Sequence, residues 1–113
     1  MGQACADEGG LEGADVLHRP DEVVGEQRRA VLEGEGLAWI EEPTLAHDFE
    51  GHAQVAQAVD TPIQCGENWW GPLDMQHALD AQASDYVMPD VMKIGGVSGW
   101  LRAIALAQTR GIR

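Results

Sequence analysis

Three short apolar runs in this chain each end in a carboxylate and then a turn, and they recur at nearly the same interval. Leu37-Ala38-Trp39-Ile40 runs into Glu41-Glu42-Pro43, Pro62-Ile63-Gln64-Cys65-Gly66 into Glu67-Asn68, and Asp85-Tyr86-Val87-Met88-Pro89 into Asp90. Glu41 and Glu67 are 26 residues apart, and Glu67 and Asp90 are 23 apart. That interval holds one strand, one loop and one helix, which is the crossover that neighbouring parallel strands need. Three parallel neighbours deliver their acids to one carboxyl-terminal edge, the edge that carries the chemistry in α/β barrels. Carboxylates gathered there repel one another unless a cation neutralises them. A hard divalent ion with oxygen ligands, Mg²⁺ above all, suits such a mouth.

The segments between these runs read as helices. From Pro20, a first-turn residue with Asp21 and Glu22 at the positive end of the dipole, Val23, Val24, Gln27, Ala30, Val31 and Gly34 fall at helical spacing, and Gly36 is the stop. Asp48 opens a second helix with Phe49, His52, Ala53, Ala56 and Val59 on one stripe. Pro72 opens a third, with Met75, Ala78, Leu79 and Gln82 inward. Ser98 is the expected N-cap of a fourth, with Trp100, Leu101, Ile104, Ala105 and Gln108 inward and Gly111 as the stop. The run 37–41 is expected to be covered on both faces. Gln64 stands inside its strand, where a polar group costs stability unless it is hydrogen-bonded. Strict alternation of this kind predicts an α/β fold, βα units forming part of a TIM-type barrel. Residues 1–19 carry no period and read as a loose segment; residues 20–113 read as the barrel unit.

Size and charge narrow the function. The chain has 113 residues, less than half of the roughly 250 of a closed eight-stranded barrel. The expectation is therefore about half a barrel, whose open edges and apolar faces invite self-association into a homo-oligomer. The formal net charge of −12 excludes the basic footprint of a nucleic-acid binder and an attraction to anionic membranes. No run approaches the roughly 20 apolar residues of a membrane span, and no signal-peptide pattern opens the chain. The two cysteines, Cys5 and Cys65, match no zinc or redox spacing, which points to a reducing, cytoplasmic setting.

The same runs carry a resemblance. Trp39-Ile40-Glu41-Glu42-Pro43-Thr44, Gly66-Glu67-Asn68-Trp69 and Met88-Pro89-Asp90-Val91-Met92-Lys93-Ile94-Gly95-Gly96-Val97-Ser98-Gly99-Trp100 resemble the mandelate racemase group of the enolase superfamily, from about Gly34 to the end of the chain. The resemblance implies that Glu41 and Glu67 are two of three Mg²⁺ ligands. The third would be an Asp on the preceding strand, and Asp15 lies 26 residues before Glu41. Leu17 stands where the group has Asn, and a solvated loop Asp is the competing reading. For Glu41 and Glu67 the competing reading is a helix cap or a pairing with Lys93 or an arginine. Asp90 would orient a catalytic His on the next strand, while Glu42, Asn68 and Lys93 would hold neighbouring ligands in register or neutralise charge. Trp69 and Trp70 would line the substrate mouth or pack beneath the loop.

The implied activity is abstraction of the proton α to a carboxylate of a small 2-hydroxy acid, giving racemisation. Dehydration, as in related acid-sugar dehydratases, is the alternative, and a non-catalytic acidic barrel piece that self-associates is a third reading. The sequence departs from the group in its bases. Lys93 is the sole lysine, so there is no Lys-x-Lys pair, and His18, His47, His52 and His77 all precede Asp90. A final-strand Glu and an amino-terminal capping domain are also missing from the pattern. On its own the chain is expected to hold no complete acid–base pair.

Overall fold

The computed structural model describes residue 31 and residues 33–112. The expected loose segment 1–19, most of the helix from Pro20, Asp15 and Cys5 lie outside the described residues. Val31, Glu33 and Gly34 are helical, and Gly36 turns left-handed at φ 64°, as the stop of that helix requires.

The order that follows is β1 (Ile40–Glu41), α1 (Phe49–Ala58), β2 (Ile63–Cys65), α2 (Pro72–Asp80), β3 (Tyr86–Val87) and α3 (Gly96–Arg110). The strands form one parallel sheet in the order β1-β2-β3, with Ile40 opposite Ile63, Glu41 opposite Gln64, Gln64 opposite Tyr86 and Cys65 opposite Val87. This is the α/β barrel section that the three runs predict. Successive strand side chains alternate between faces, so this register divides the sheet cleanly. Ile40, Ile63, Cys65 and Val87 face the helices, where they join Val55, Val59, Met75, Ala78, Leu79, Ile94 and Ala103 in the core. Glu41, Gln64 and Tyr86 point to the other side, which no described helix covers.

Local chemistry explains the helix ends. The Asp48 side chain accepts from Gly51 N at 2.9 Å and caps α1. Pro72 sits in the first turn of α2. Gly111, left-handed at φ 66°, ends α3. Four expectations fail here. The N-cap of α3 is Gly95 in the left-handed region, and Ser98 lies inside the helix. The buried stripe of α3 is Gly99 and Ala103, with Trp100, Leu106 and Ala107 partly buried, while Leu101, Ile104, Ala105 and Gln108 face outward. Gly99 takes the first inner position because a Cβ there would meet the backbone of Ile94. Gln82 leaves α2 altogether and turns left-handed at φ 58°. The strand of the first run is also shorter than expected: Leu37, Ala38 and Trp39 precede it and are exposed, because among the described residues neither face of that stretch is covered.

His52 is buried in the stripe of α1, and its Nε2 has no hydrogen-bond partner among the described residues. Burial lowers its pKa below the ordinary 6.5, against the raising influence of Asp48 and of Glu42's charge. The unfolded chain therefore binds the proton more readily than the folded one. Stability is expected to hold level above pH about 6.5 and to fall as the pH drops below it. Urea midpoints of the wild-type chain and of His52→Gln between pH 5 and pH 7.5 check this. The substitution should flatten the slope, and equal slopes would assign the acid sensitivity to other groups.

Candidate functional site

The carboxyl-terminal edge of the sheet carries the residues that the sequence singles out. Glu41 is the last residue of β1 and is exposed, and Glu67 follows β2 in an exposed turn. Among the described residues neither carboxylate takes a hydrogen bond or an ion pair, so neither serves as a helix cap or pairs with Lys93. Among these residues no three His, Cys, Asp or Glu side chains gather closely enough to hold a metal ion. The expected third member, Asp15, lies outside the described residues.

Between the two exposed acids runs a continuous polar chain. Glu42 follows Glu41 at φ 36°, a left-handed conformation that is strained for a non-glycine residue. It is held there by its N–H, which donates to Gln64 O at 2.9 Å. The twist aims its carboxylate across to the next strand end. Glu42 Oε1 accepts from Gly66 N and Asn68 N, each at 3.4 Å, and Oε2 accepts from Asn68 Nδ2 at 2.7 Å. These are the residues on either side of Glu67. Asn68 Oδ1 accepts from Lys93 Nζ at 2.8 Å. The chain Glu42–Asn68–Lys93 thus ties all three strand ends together. Asn68 is the adapter, donating to an anion and accepting from a cation. It leaves Lys93 engaged, and among the described residues Glu41 and Glu67 take part in no ion pair.

Glycine geometry lets the strands close up at this edge. Gly66 has φ 134°, and a Cβ there would come within 3.0 Å of the Met88 and Pro89 backbone. Asp90 lies beyond β3 and turns into its own loop, where Oδ1 accepts from Met92 N at 2.7 Å and Lys93 N at 3.0 Å. That turn aims the Lys93 side chain at Asn68, while Lys93 O accepts from Gly71 N at 3.1 Å.

The two loop tryptophans separate. Trp69 is in the core and Trp70 is exposed, so only Trp70 remains available to a mouth. Cys65, just behind Gly66, is a free thiol; burial first, then the charge of Glu42, pushes its pKa up to about 12, which keeps it protonated and unreactive. Residue type alone gave no sign of three other contacts. Asp85 Oδ2 accepts from Ile63 N at 2.8 Å, Asp74 Oδ2 accepts from Trp70 N at 2.9 Å, and His47 Nδ1 lies 3.6 Å from Asp74 Oδ2. These acids anchor loops, a use that composition cannot separate from a solvated surface.

Comparison with known proteins places the fold in a family. Residues 23–113 match the family described as Enolase C-terminal domain-like. The L-talarate/galactarate dehydratase of Salmonella typhimurium is 44% identical over 80 residues, which cover 71% of this chain and 20% of that protein. A Bradyrhizobium enolase crystallised with magnesium and mandelic acid superposes with a TM-score of 0.74 at 44% identity, over 83% of this chain and 26% of the other. The L-talarate dehydratase of Polaromonas sp. JS666, crystallised with Mg and L-glucarate, superposes at 0.71 with 37% identity, over 76% and 23%. The chain thus spans about a fifth to a quarter of the length of the relatives that it matches. A fold-family match over most of the chain, together with three parallel βα units that present their acids at one edge, establishes that this chain belongs to the Enolase C-terminal domain-like family.

Proposed function

We propose that these βα units are the metal-holding section of a Mg²⁺-dependent enzyme that removes the proton α to the carboxylate of a small 2-hydroxy acid. What supports the reading is the pair Glu41 and Glu67, exposed at neighbouring strand ends and without an ion pair among the described residues, where Lys93 is engaged by Asn68. An all-oxygen donor set fits a hard divalent ion. Glu41 and Glu67 would hold it, with Asp15 as the third ligand. When bound, the ion supplies Lewis-acid charge against the substrate carboxylate.

The protein's own residues would then do the following. Glu42, through Gly66 and Asn68, fixes the turn on which Glu67 stands. Lys93 balances the charge of Glu42 through Asn68. Asp90 would orient a His carried on a further strand. The Trp70 ring would shield the mouth from water. Racemisation is the first product chemistry. Dehydration is the second, favoured by the 44% identity to an acid-sugar dehydratase. A free buried thiol at Cys65 suits a reducing, cytoplasmic setting. Without the lysine and histidine bases, the chain alone is expected not to turn over mandelate with Mg²⁺ above a Glu41→Gln/Glu67→Gln control.

Thermal unfolding of the full chain tests the reading. Mg²⁺ at about tenfold its Kd is expected to stabilise the wild type by about 1.4 kcal/mol, and to leave Glu41→Gln/Glu67→Gln unchanged relative to an equal ionic strength of NaCl. An equal shift in both proteins would remove the metal from these two residues.

A further inference from the structure

Three buried side chains hold polar atoms with no hydrogen-bond partner among the described residues: His52 Nε2, both ends of the Gln64 amide and Ser84 Oγ. Of these, Ser84 faces a crevice lined with charge. The crevice measures about 480 Å³, and its lining includes Leu79, Asp80, Ser84, Asp85, Arg110 and Ile112. All of them come from α2, the turn after it and the end of α3. Asp85 directly precedes β3, and its Oδ2 accepts from Ile63 N, at the start of β2, at 2.8 Å. The crevice therefore lies at the amino-terminal edge of the sheet, opposite to the edge that carries Glu41 and Glu67. A site there does not rest on the metal reading.

Its charge favours a cation. α2 ends at Asp80 and α3 at Arg110, so two helices bring the negative ends of their dipoles to it. The Arg110 guanidinium pairs with Asp80. Asp85 has no ion pair among the described residues, and its Oδ1 accepts no hydrogen bond from them. Ser84 is only 7% exposed, and a buried hydroxyl without a partner costs stability until a donor reaches it. One carboxylate oxygen and one hydroxyl oxygen of adjacent residues thus await donors. Leu79 is buried and Ile112 half-buried, which gives the crevice an apolar wall. Its volume is far above the roughly 30 Å³ of one water and falls within the range of small-molecule sites, about 300–1,000 Å³. We propose that this crevice binds a small organic cation, a guanidinium head on a short alkyl stem. The planar fork of the head reaches two acceptors at once, donating to Asp85 Oδ1 and Ser84 Oγ, while the stem lies against Leu79 and Ile112.

The test titrates the isotopically labelled full chain with n-butylguanidinium chloride at constant ionic strength and follows the backbone amides by NMR. Saturable shifts are expected at Ser84, Asp85 and Ile112. Tetramethylammonium, a cation without N–H groups, and butyrate, a similar stem with the opposite charge, should leave these amides in place. Asp85→Asn keeps an acceptor for Ile63 N and removes the charge, and it should weaken binding about tenfold or more, the usual loss for a hydrogen bond to a charged group. Ser84→Ala should weaken it about fivefold, the usual loss for a neutral one. Glu50→Gln, which removes an exposed charge from α1, should bind as the wild type does. If circular dichroism finds Asp85→Asn unfolded, Ser84→Ala decides the comparison. Equal shifts with tetramethylammonium would reduce the effect to ionic charge and overturn the proposal. So would an equal loss of affinity in Glu50→Gln, or unchanged affinity in Ser84→Ala. No saturable shift with n-butylguanidinium would leave the crevice to water and overturn it as well.

Discussion

Gly99→Ala is expected to destabilise this chain by about 3 kcal/mol, at the upper end of the usual cost of overpacking a core, and to lower its Tm by on the order of 15 °C for a domain of this size. Gly99 is an ordinary helical residue by its backbone, so the effect is steric. A Cβ there would lie 1.9 Å from Ile94 O and 2.7 Å from Ile94 C. Those are backbone atoms and cannot rotate away. Ile94 is fully buried, and its N–H donates to Asp90 O at 2.8 Å. To make room, the whole 90–96 loop must shift, and with it Lys93. Gly51→Ala is the control. The three atoms that its Cβ would meet first all belong to the Asp48 side chain, the nearest at 2.0 Å. Asp48 can swing aside at the expense of its cap on Gly51, worth about 1 kcal/mol. Chemical denaturation of both variants measures the contrast. A cost for Gly99→Ala no larger than for Gly51→Ala would mean that α3 does not pack on the Ile94 backbone.

The second large effect is expected at Asn68. Asn68→Ala removes both bonds of the adapter and leaves Glu42 and Lys93 to find water, at a cost of about 1–3 kcal/mol. Asn68→Asp keeps the acceptor for Lys93 but cannot donate to Glu42, and it sets two carboxylates against each other where a 2.7 Å hydrogen bond stood. Asn68→Asp should therefore be the less stable of the two at pH 7, despite its closer shape. The sign with pH separates charge from shape. Protonating either member of the new pair relieves the repulsion, so the deficit should shrink as the pH falls toward the carboxylate range, about 4, while the deficit of Asn68→Ala should not. Urea midpoints of the two variants at pH 7 and pH 4.5 check this. In a complete barrel, both substitutions are expected to weaken metal affinity or activity by about 10- to 100-fold, the usual effect of losing a group that orients a ligand. Parallel pH profiles for the two variants would mean that Glu42 and Asn68 do not form the pair described.

The parts of the fold that sequence revealed are those set by local chemistry. Asp48 as a cap, Pro72 in a first turn, Gly36 and Gly111 as stops, and three strands ending near Glu41, Glu67 and Asp90 all follow from short-range rules. The inward stripe of α3 was not legible. Hydrophobicity favours Leu101 and Ile104 as core residues, but the fold buries Gly99 and Ala103, and at Gly99 only a residue without a Cβ allows the close approach to Ile94. The same holds for Trp69 and Trp70: adjacent and chemically identical, they part because one side of the loop meets the core. At the site, the residue types were legible and the wiring was not. Glu42, Asn68 and Lys93 were expected to support neighbouring ligands, but the single chain through them depends on Glu42 at φ 36°, a conformation that no residue-level rule assigns to a glutamate before a proline. Gln64 stood out as a buried polar residue that needed a partner. Its lack of one among the described residues emerged only from three dimensions.

The proposed function has Glu41 and Glu67 converge on one divalent ion. The most direct measurement is a Mn²⁺ titration of the isotopically labelled full chain by NMR, since Mn²⁺ accepts the same oxygen ligands as Mg²⁺ and broadens nearby resonances. Broadening is expected to centre on Glu41, Glu42, Glu67 and Asn68, to reverse when excess Mg²⁺ is added, and to disappear in Glu41→Gln/Glu67→Gln. Broadening spread over the acidic surface, or centred at this edge but unchanged in the double variant, would contradict it.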